Sequence, residues 1–281
     1  MKNKHITVDF DGVMAVATVY INGNEVGHNY YGYTAFSVDI SDYITDGENV
    51  IAVKVVNRQP SSRWYTGSGI YRNVKMTVTD MIYVDTNGTY ITTPTLEEDL
   101  KENKAQVNIK TDIINKSGSE KDITLNTKIL GKEGNTVAES TDKDFNQTIT
   151  VSNPKLWSVD NPYLYTAESN VIIDGNIVDT YKTTFGLRYT KFDANEGFSL
   201  NGEYMKLKGV CLHHDLGALG AAENTRAIER QLDMMKDMGV NAIRSSHNPA
   251  SKTMVELCNK KGLMLIEEAF DMWSMRKTNY D

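Results

Sequence analysis

Val240-Asn241-Ala242-Ile243-Arg244-Ser245-Ser246-His247-Asn248-Pro249 is the stretch that decides the fold. Its first six residues read as a short apolar strand bounded by turn residues. A guanidinium and an imidazole stand where that strand ends. A helix is predicted on each side. Residues 225–238 place Ile228, Leu232 and Met235 on one face and stop at Gly239. Residues 251–261 place Met254, Leu257 and Cys258 on one face and stop at Gly262. Further strands are predicted over 205–212 and 263–269. Strand–helix–strand–helix–strand implies parallel βαβ units.

Upstream the hydrophobic period is two rather than 3.6. Val13, Ala15, Ala17, Val19 and Ile21 alternate with their neighbours, and Asn22-Gly23 follows. That dipeptide predicts a hairpin, because a type I′ turn needs positive φ at both central residues. Strands over 35–40, 50–56 and 74–78, with turns at Asp46-Gly47 and a glycine-rich loop over 63–69, predict an antiparallel sandwich or jelly roll. Too few strands precede Asn22 to complete both sheets, so residues 1–80 read as a partial one. Over 81–190 the period stays at two, with strands at 107–113, 123–130, 145–151 and 166–173. Asp174-Gly175 closes another hairpin. An immunoglobulin-like sandwich fits that length. The boundaries are therefore 1–80, 81–190 and 191–281.

Composition narrows the partners. A net charge of −7 over 281 residues argues against nucleic acid and anionic membrane surfaces. No apolar run approaches the ~20 residues that span a bilayer, and the first residues show no apolar signal-peptide core. Fifteen Tyr and three Trp suit sugar-handling surfaces and strand packing equally. Cys211 and Cys258 lie inside apolar patterns and read as buried free thiols.

In parallel βαβ folds, sites form at the C-terminal strand ends. His213, His214 and Asp215 follow the first such strand. Arg244, His247 and Asn248 follow the second, and Glu267, Glu268, Asp271 and Trp273 follow the third. Carboxylates, donors and an aromatic platform on one rim suit sugar hydroxyls. His213, His214, Asp215 and His247 could alternatively ligate zinc, but adjacent histidines on a strand face opposite sides.

These residues resemble glycoside hydrolase family 2, the β-galactosidases, β-glucuronidases and β-mannosidases. The likeness is carried by Asn241 to Pro249 with Asn259 and Gly262 to Ile266. It extends through Gly12 to His28, Arg63 to Arg72, Leu156 to Tyr165, Phe185 to Arg188 and Phe198 to Asp215. It covers essentially the whole chain. The resemblance implies a jelly roll, an immunoglobulin-like sandwich and the first three βα units of a (β/α)8 TIM barrel. It also implies hydrolysis of terminal β-glycosides with retention, most closely of the β-galactosidase kind, by two Glu about 5 Å apart. In the family those Glu lie near strands four and seven, so no catalytic residue is expected in this chain and turnover by it alone is expected to be negligible. Asn24-Glu25 and Asn195-Glu196 are chance matches to the acid/base motif.

The resemblance makes His214, Asp215, Arg244, His247, Asn248, Glu268, Asp271 and Trp273 substrate-binding positions, with a β-galactoside-type carbohydrate as partner. Some relatives hold Mg²⁺ near Asp271. Trp273 stands where a histidine ligand would be, so no metal or other cofactor is expected. Arg63 replaces a pocket carboxylate of some relatives. Two other readings stand beside this one. One is a non-catalytic carbohydrate-binding module using Trp64, Tyr65 and Tyr71. The other makes the sandwiches spacers or homo-oligomer surfaces.

Overall fold

The computed structural model describes residues 3–61, 67–269, 275, 277 and 279. The chain forms two compact units, Met1–Val78 with Lys208–Asp281, and Thr79–Leu207. The first sandwich and the βαβ segment therefore share a unit, while residues 191–207 belong to the other.

In the first unit, two three-stranded sheets face each other. One orders Phe36–Asp39, His5–Phe10 and Val74–Thr79. The other orders Asn24–Asn29, Val16–Ile21 and Ile51–Val56. Between them lie Ile6, Val8, Phe10, Ala17, Val19, Ile21, Val38 and Ile40, all buried. Asn22 and Gly23 both have positive φ, +50° and +85°, so the turn is the primed type that matches strand twist. Valines and isoleucines at every second position point inward for the reason the sequence predicts: strand side chains alternate faces.

The βαβ segment follows in the same unit. Gly209–Leu212, Ala242–Ser245 and Met264–Ile266 form a parallel sheet, with Cys211 opposite Arg244 and Arg244 opposite Ile266. Helices Thr225–Asp237 and Lys252–Lys261 cover one face. Asn224 and Ser251 cap them by accepting from Ala227 and Met254 backbone N–H groups. Gly262 ends the second in the left-handed region, φ +71°. Ile228, Leu232, Ile243, Leu257, Cys258 and Leu263 pack between helices and sheet. Leu232 is fully buried, worth about 2 kcal/mol of transfer energy.

Cys211 is exposed, contrary to the expectation of a buried thiol, whereas Cys258 is buried. Val210 and Leu212 turn toward the helices. Strand alternation then sends Cys211 to the other face, beside Arg244.

The second unit is a seven-stranded sandwich. One sheet orders Asn146–Ser152, Lys104–Asn115 and Ile82–Thr92; the other orders Thr136–Asp142, Ile123–Leu130, Tyr165–Ile173 and Asn176–Phe185. Val107, Ile109, Ile129, Ile149, Val151 and Ala167 fill its core. This is the immunoglobulin-like layout. A small three-stranded meander follows over Thr190–Asp193, Gly197–Leu200 and Glu203–Tyr204. Asn24-Glu25 starts a hairpin strand, and the N–H groups of Asn195 and Glu196 both donate to Asp193 in a turn.

Candidate functional site

Alternation selects which side chains face away from the helices. Cys211, Arg244 and Glu268 lie on that face, at the ends of three adjacent parallel strands. Arg244 donates from Nε to the Glu268 carboxylate, and its second terminal nitrogen also contacts it. His247 Nδ1 lies 2.7 Å from the other Glu268 oxygen. A carboxylate only accepts, so Nδ1 is the donor in this pair, although an Arg244 terminal nitrogen also lies 3.2 Å from it. His213 packs edge-on against His247, with ring centroids 5.6 Å apart. The Glu268 backbone N–H donates to Ser245 Oγ at 3.1 Å, which fixes where its side chain starts.

The electrostatics follow from these contacts. Burial acts to raise the Glu268 carboxyl, but the bonds from His247 and Arg244 outweigh it and hold it below the ordinary range. Arg244 also lies 3.5 Å from Cys211 Sγ. That guanidinium is the chief cause of the lowered Cys211 pKa. The group is thus an ionised carboxylate held between two donors.

His214, Asp215 and Asn248 are placed elsewhere. His214 packs its ring 4.8 Å from that of Tyr33, with Nδ1 3.5 Å from the Arg72 guanidinium. Burial, then the Arg72 charge, push its pKa down to about 4. Asp215 accepts from the Gly217 N–H in its own turn at 2.8 Å. Asn248 is fully buried, and its side-chain oxygen accepts from the Tyr31 hydroxyl. His214 and Asp215 share a cavity of about 50 Å³ with Arg72 and Glu223. That is room for a water or two, not for a sugar ring. Asp271 and Trp273 lie outside the described residues, as do Arg63, Trp64 and Tyr65.

Sequence reasoning missed the residues that hold the mouth in place. Arg72, 7% exposed, donates to the Tyr33 carbonyl at 2.9 Å and the Pro249 carbonyl at 2.8 Å. Its stem runs against Gly12, where a Cβ would come within 2.7 Å of Arg72 Cδ. Glu223 accepts from Asn73 Nδ2 at 2.7 Å and from the Thr253 hydroxyl. Sandwich residues thus clamp the loop that carries His247. The available signal was the place of Arg72 at the end of the Arg63 to Arg72 stretch that carries the family likeness.

Comparison with known proteins adds three family matches. Residues 1–80 match the sugar-binding domain of glycosyl hydrolases family 2. Residues 89–188 match glycosyl hydrolases family 2, and residues 194–278 match the TIM barrel domain of that family. A β-galactosidase of Bacteroides ovatus, BoGH2A, is 44% identical over 99% of this chain, which covers 34% of that protein. A putative β-glucuronidase of Formosa agariphila is 37% identical over 96% of the chain, which covers 26% of it. A crystal structure of a family member from Bacteroides cellulosilyticus superposes with a TM-score of 0.92 at 40% identity, over all of this chain and 37% of that one. The chain thus spans about a third of the length of the relatives it matches.

Proposed function

We infer, from a chain that belongs to glycosyl hydrolase family 2, that the whole protein is a retaining exo-β-glycosidase of β-galactosidase type. In that reading, this segment grips the terminal sugar. The observation that carries it is Glu268, held ionised between Arg244 and His247 at the strand ends. Its remaining lone pairs accept from a vicinal pair of sugar hydroxyls, and the His247 ring takes a third.

The same arrangement favours a neutral sugar over a uronate. A uronate carboxylate needs an uncommitted cation, and Arg244 is already neutralised by Glu268. A second carboxylate would meet Glu268 at close range and be repelled.

Glu268 is a poor candidate for the general acid, which needs a raised pKa, whereas its own is lowered. Glu267 is occupied by the Ala250 N–H at 2.5 Å. The acid and the nucleophile are therefore assigned to other parts of the whole protein, and this segment supplies binding and orientation.

The test is sugar binding by this chain, followed by saturation-transfer NMR with galactose, alongside an assay with 4-nitrophenyl β-galactoside. The chain is expected to bind galactose weakly, to lose that signal in Glu268→Gln and Arg244→Ala, and to release no nitrophenol. Galactose binding that survives both substitutions would remove the site. Turnover above the buffer rate would remove the division of labour.

A further inference from the structure

The loop over 246–250 follows the middle parallel strand, Ala242–Ser245, and carries His247. Every other residue of the loop is tied to a neighbouring element. The Ser246 N–H donates to the Leu212 carbonyl at 3.0 Å. Asn248 Oδ1 accepts from the Tyr31 hydroxyl. The Pro249 carbonyl accepts from Arg72 at 2.8 Å, and the Ala250 N–H donates to Glu267 at 2.5 Å. His247 turns its ring to Glu268.

Two of those four ties come from the first sandwich, and they differ in kind. Arg72 also bonds the Asp11 and Tyr33 carbonyls, so its loss disturbs the packing at large. Tyr31 reaches the loop through one hydroxyl. Its own carbonyl accepts from Asn29 Nδ2 at 2.8 Å and from the Thr34 hydroxyl at 3.0 Å. Its ring leans on Tyr33, with centroids 5.7 Å apart. The turn that presents the ring is thus fixed within the sandwich itself. At the other end of the bond, Asn248 is 0% exposed, so its side-chain oxygen is cut off from bulk water. Fixing that amide fixes the Cβ direction of residue 248, and with it the peptide that joins Asn248 to His247. A side chain that meets a ligand needs placement to about 0.5 Å, and for the imidazole that placement starts at this peptide.

We propose that Tyr31 is a positioning residue for the sugar site: by holding the Asn248 side chain, its hydroxyl aims the neighbouring His247 imidazole at Glu268 and so sets affinity for the terminal sugar. The proposal rests on the binding reading of the barrel mouth given above. Tyr31 touches no sugar in this scheme; it acts through Asn248 on His247.

The experiment uses this chain with Tyr31→Phe, His247→Ala and the double variant. Tyr30→Phe is the control, since it removes the hydroxyl of an exposed neighbour braced on His28. Two quantities are read by NMR. One is the shift of the His247 ring nitrogens without sugar, which reports whether Nδ1 still donates to Glu268. The other is galactose affinity. In Tyr31→Phe the ring nitrogens are expected to move, and galactose to bind about fivefold more weakly, the scale of one hydrogen bond. Tyr30→Phe changes neither. In the double variant, Tyr31→Phe adds nothing to the loss caused by His247→Ala. Ring nitrogens that stay in place in Tyr31→Phe overturn the proposal. So does an affinity loss that persists in full on top of His247→Ala, because Tyr31 would then act by another route. Galactose binding indifferent to Glu268→Gln and Arg244→Ala overturns the barrel-mouth reading instead. In that case the ring nitrogens still decide whether Tyr31 aims His247.

Discussion

The Arg72 guanidinium donates to the Pro249 carbonyl at 2.8 Å, joining positions 177 residues apart in the chain. It also donates to the Tyr33 carbonyl at 2.9 Å and lies over the Tyr71 ring, 5.2 Å from its centre. One buried cation thus ties the first sandwich to the loop that carries His247. Arg72→Met leaves two carbonyls without their donor and should cost about 2–4 kcal/mol. Arg72→Lys should recover little, since an ammonium cannot present a planar fork to both carbonyls. Urea denaturation of the three proteins measures this; a loss below about 0.5 kcal/mol in Arg72→Met would show the clamp to be idle.

His214 makes the same contact sensitive to pH. Its folded pKa is down to about 4, against 6.5 for the free group, through burial and then the Arg72 charge, with His213 adding to it. Between those values the unfolded chain binds a proton that the folded chain refuses. The stability is therefore whole above pH 6.5 and is lost as the pH falls toward 4, by about 3 kcal/mol for this group. The urea midpoint of the parent should fall more steeply between pH 7 and 4.5 than that of His214→Gln. Parallel curves for the two proteins would contradict the assignment.

The two cysteines should differ sharply in reactivity. Cys211 is exposed with its thiol pKa lowered, first by Arg244 and then by Ser246. Burial pushes Cys258 up to about 12. The thiolate is the reacting form, so iodoacetamide at neutral pH should label Cys211 first, as read by peptide mass spectrometry. In Arg244→Ala the Cys211 labelling profile should move to higher pH. An unchanged profile would mean that Arg244 does not set the thiol.

Ser251 tests the local origin of the second helix. Its hydroxyl accepts from the Met254 N–H at 3.2 Å. Ser251→Ala should cost ~1 kcal/mol, and Ser251→Asp should cost less because a carboxylate caps equally well. Thermal unfolding of the two variants decides; equal losses would show that burial of this residue, not capping, is what counts.

Much of the architecture was legible because its signals are local. Asn22-Gly23 and Asp174-Gly175 marked hairpins, and all four residues have positive φ. The helix stops at Gly239 and Gly262 likewise adopt positive φ. The strand Thr136–Asp142 escaped notice because only Ala138 packs on the core, so no apolar alternation marks it. The strand expected over 205–212 pairs only from Gly209, and the one expected over 263–269 pairs only as far as Ile266. Backbone pairing requires a neighbouring strand, which periodicity does not report.

The site divided along the same line. The strand-end rule placed Arg244, His247 and Glu268 in one neighbourhood, because alternation and parallel register are properties of the chain itself. It could not say that His214 and Asn248 turn to Tyr33, Arg72 and Tyr31, since those partners lie 142 to 217 residues away in the chain. Nor could it show that Cys211 is exposed. By itself the sequence determined the elements, their order and the rim that would hold polar groups. Tertiary packing alone decided which of those groups meet each other and which are spent holding two domains together, because that depends on long-range contacts that no local pattern encodes.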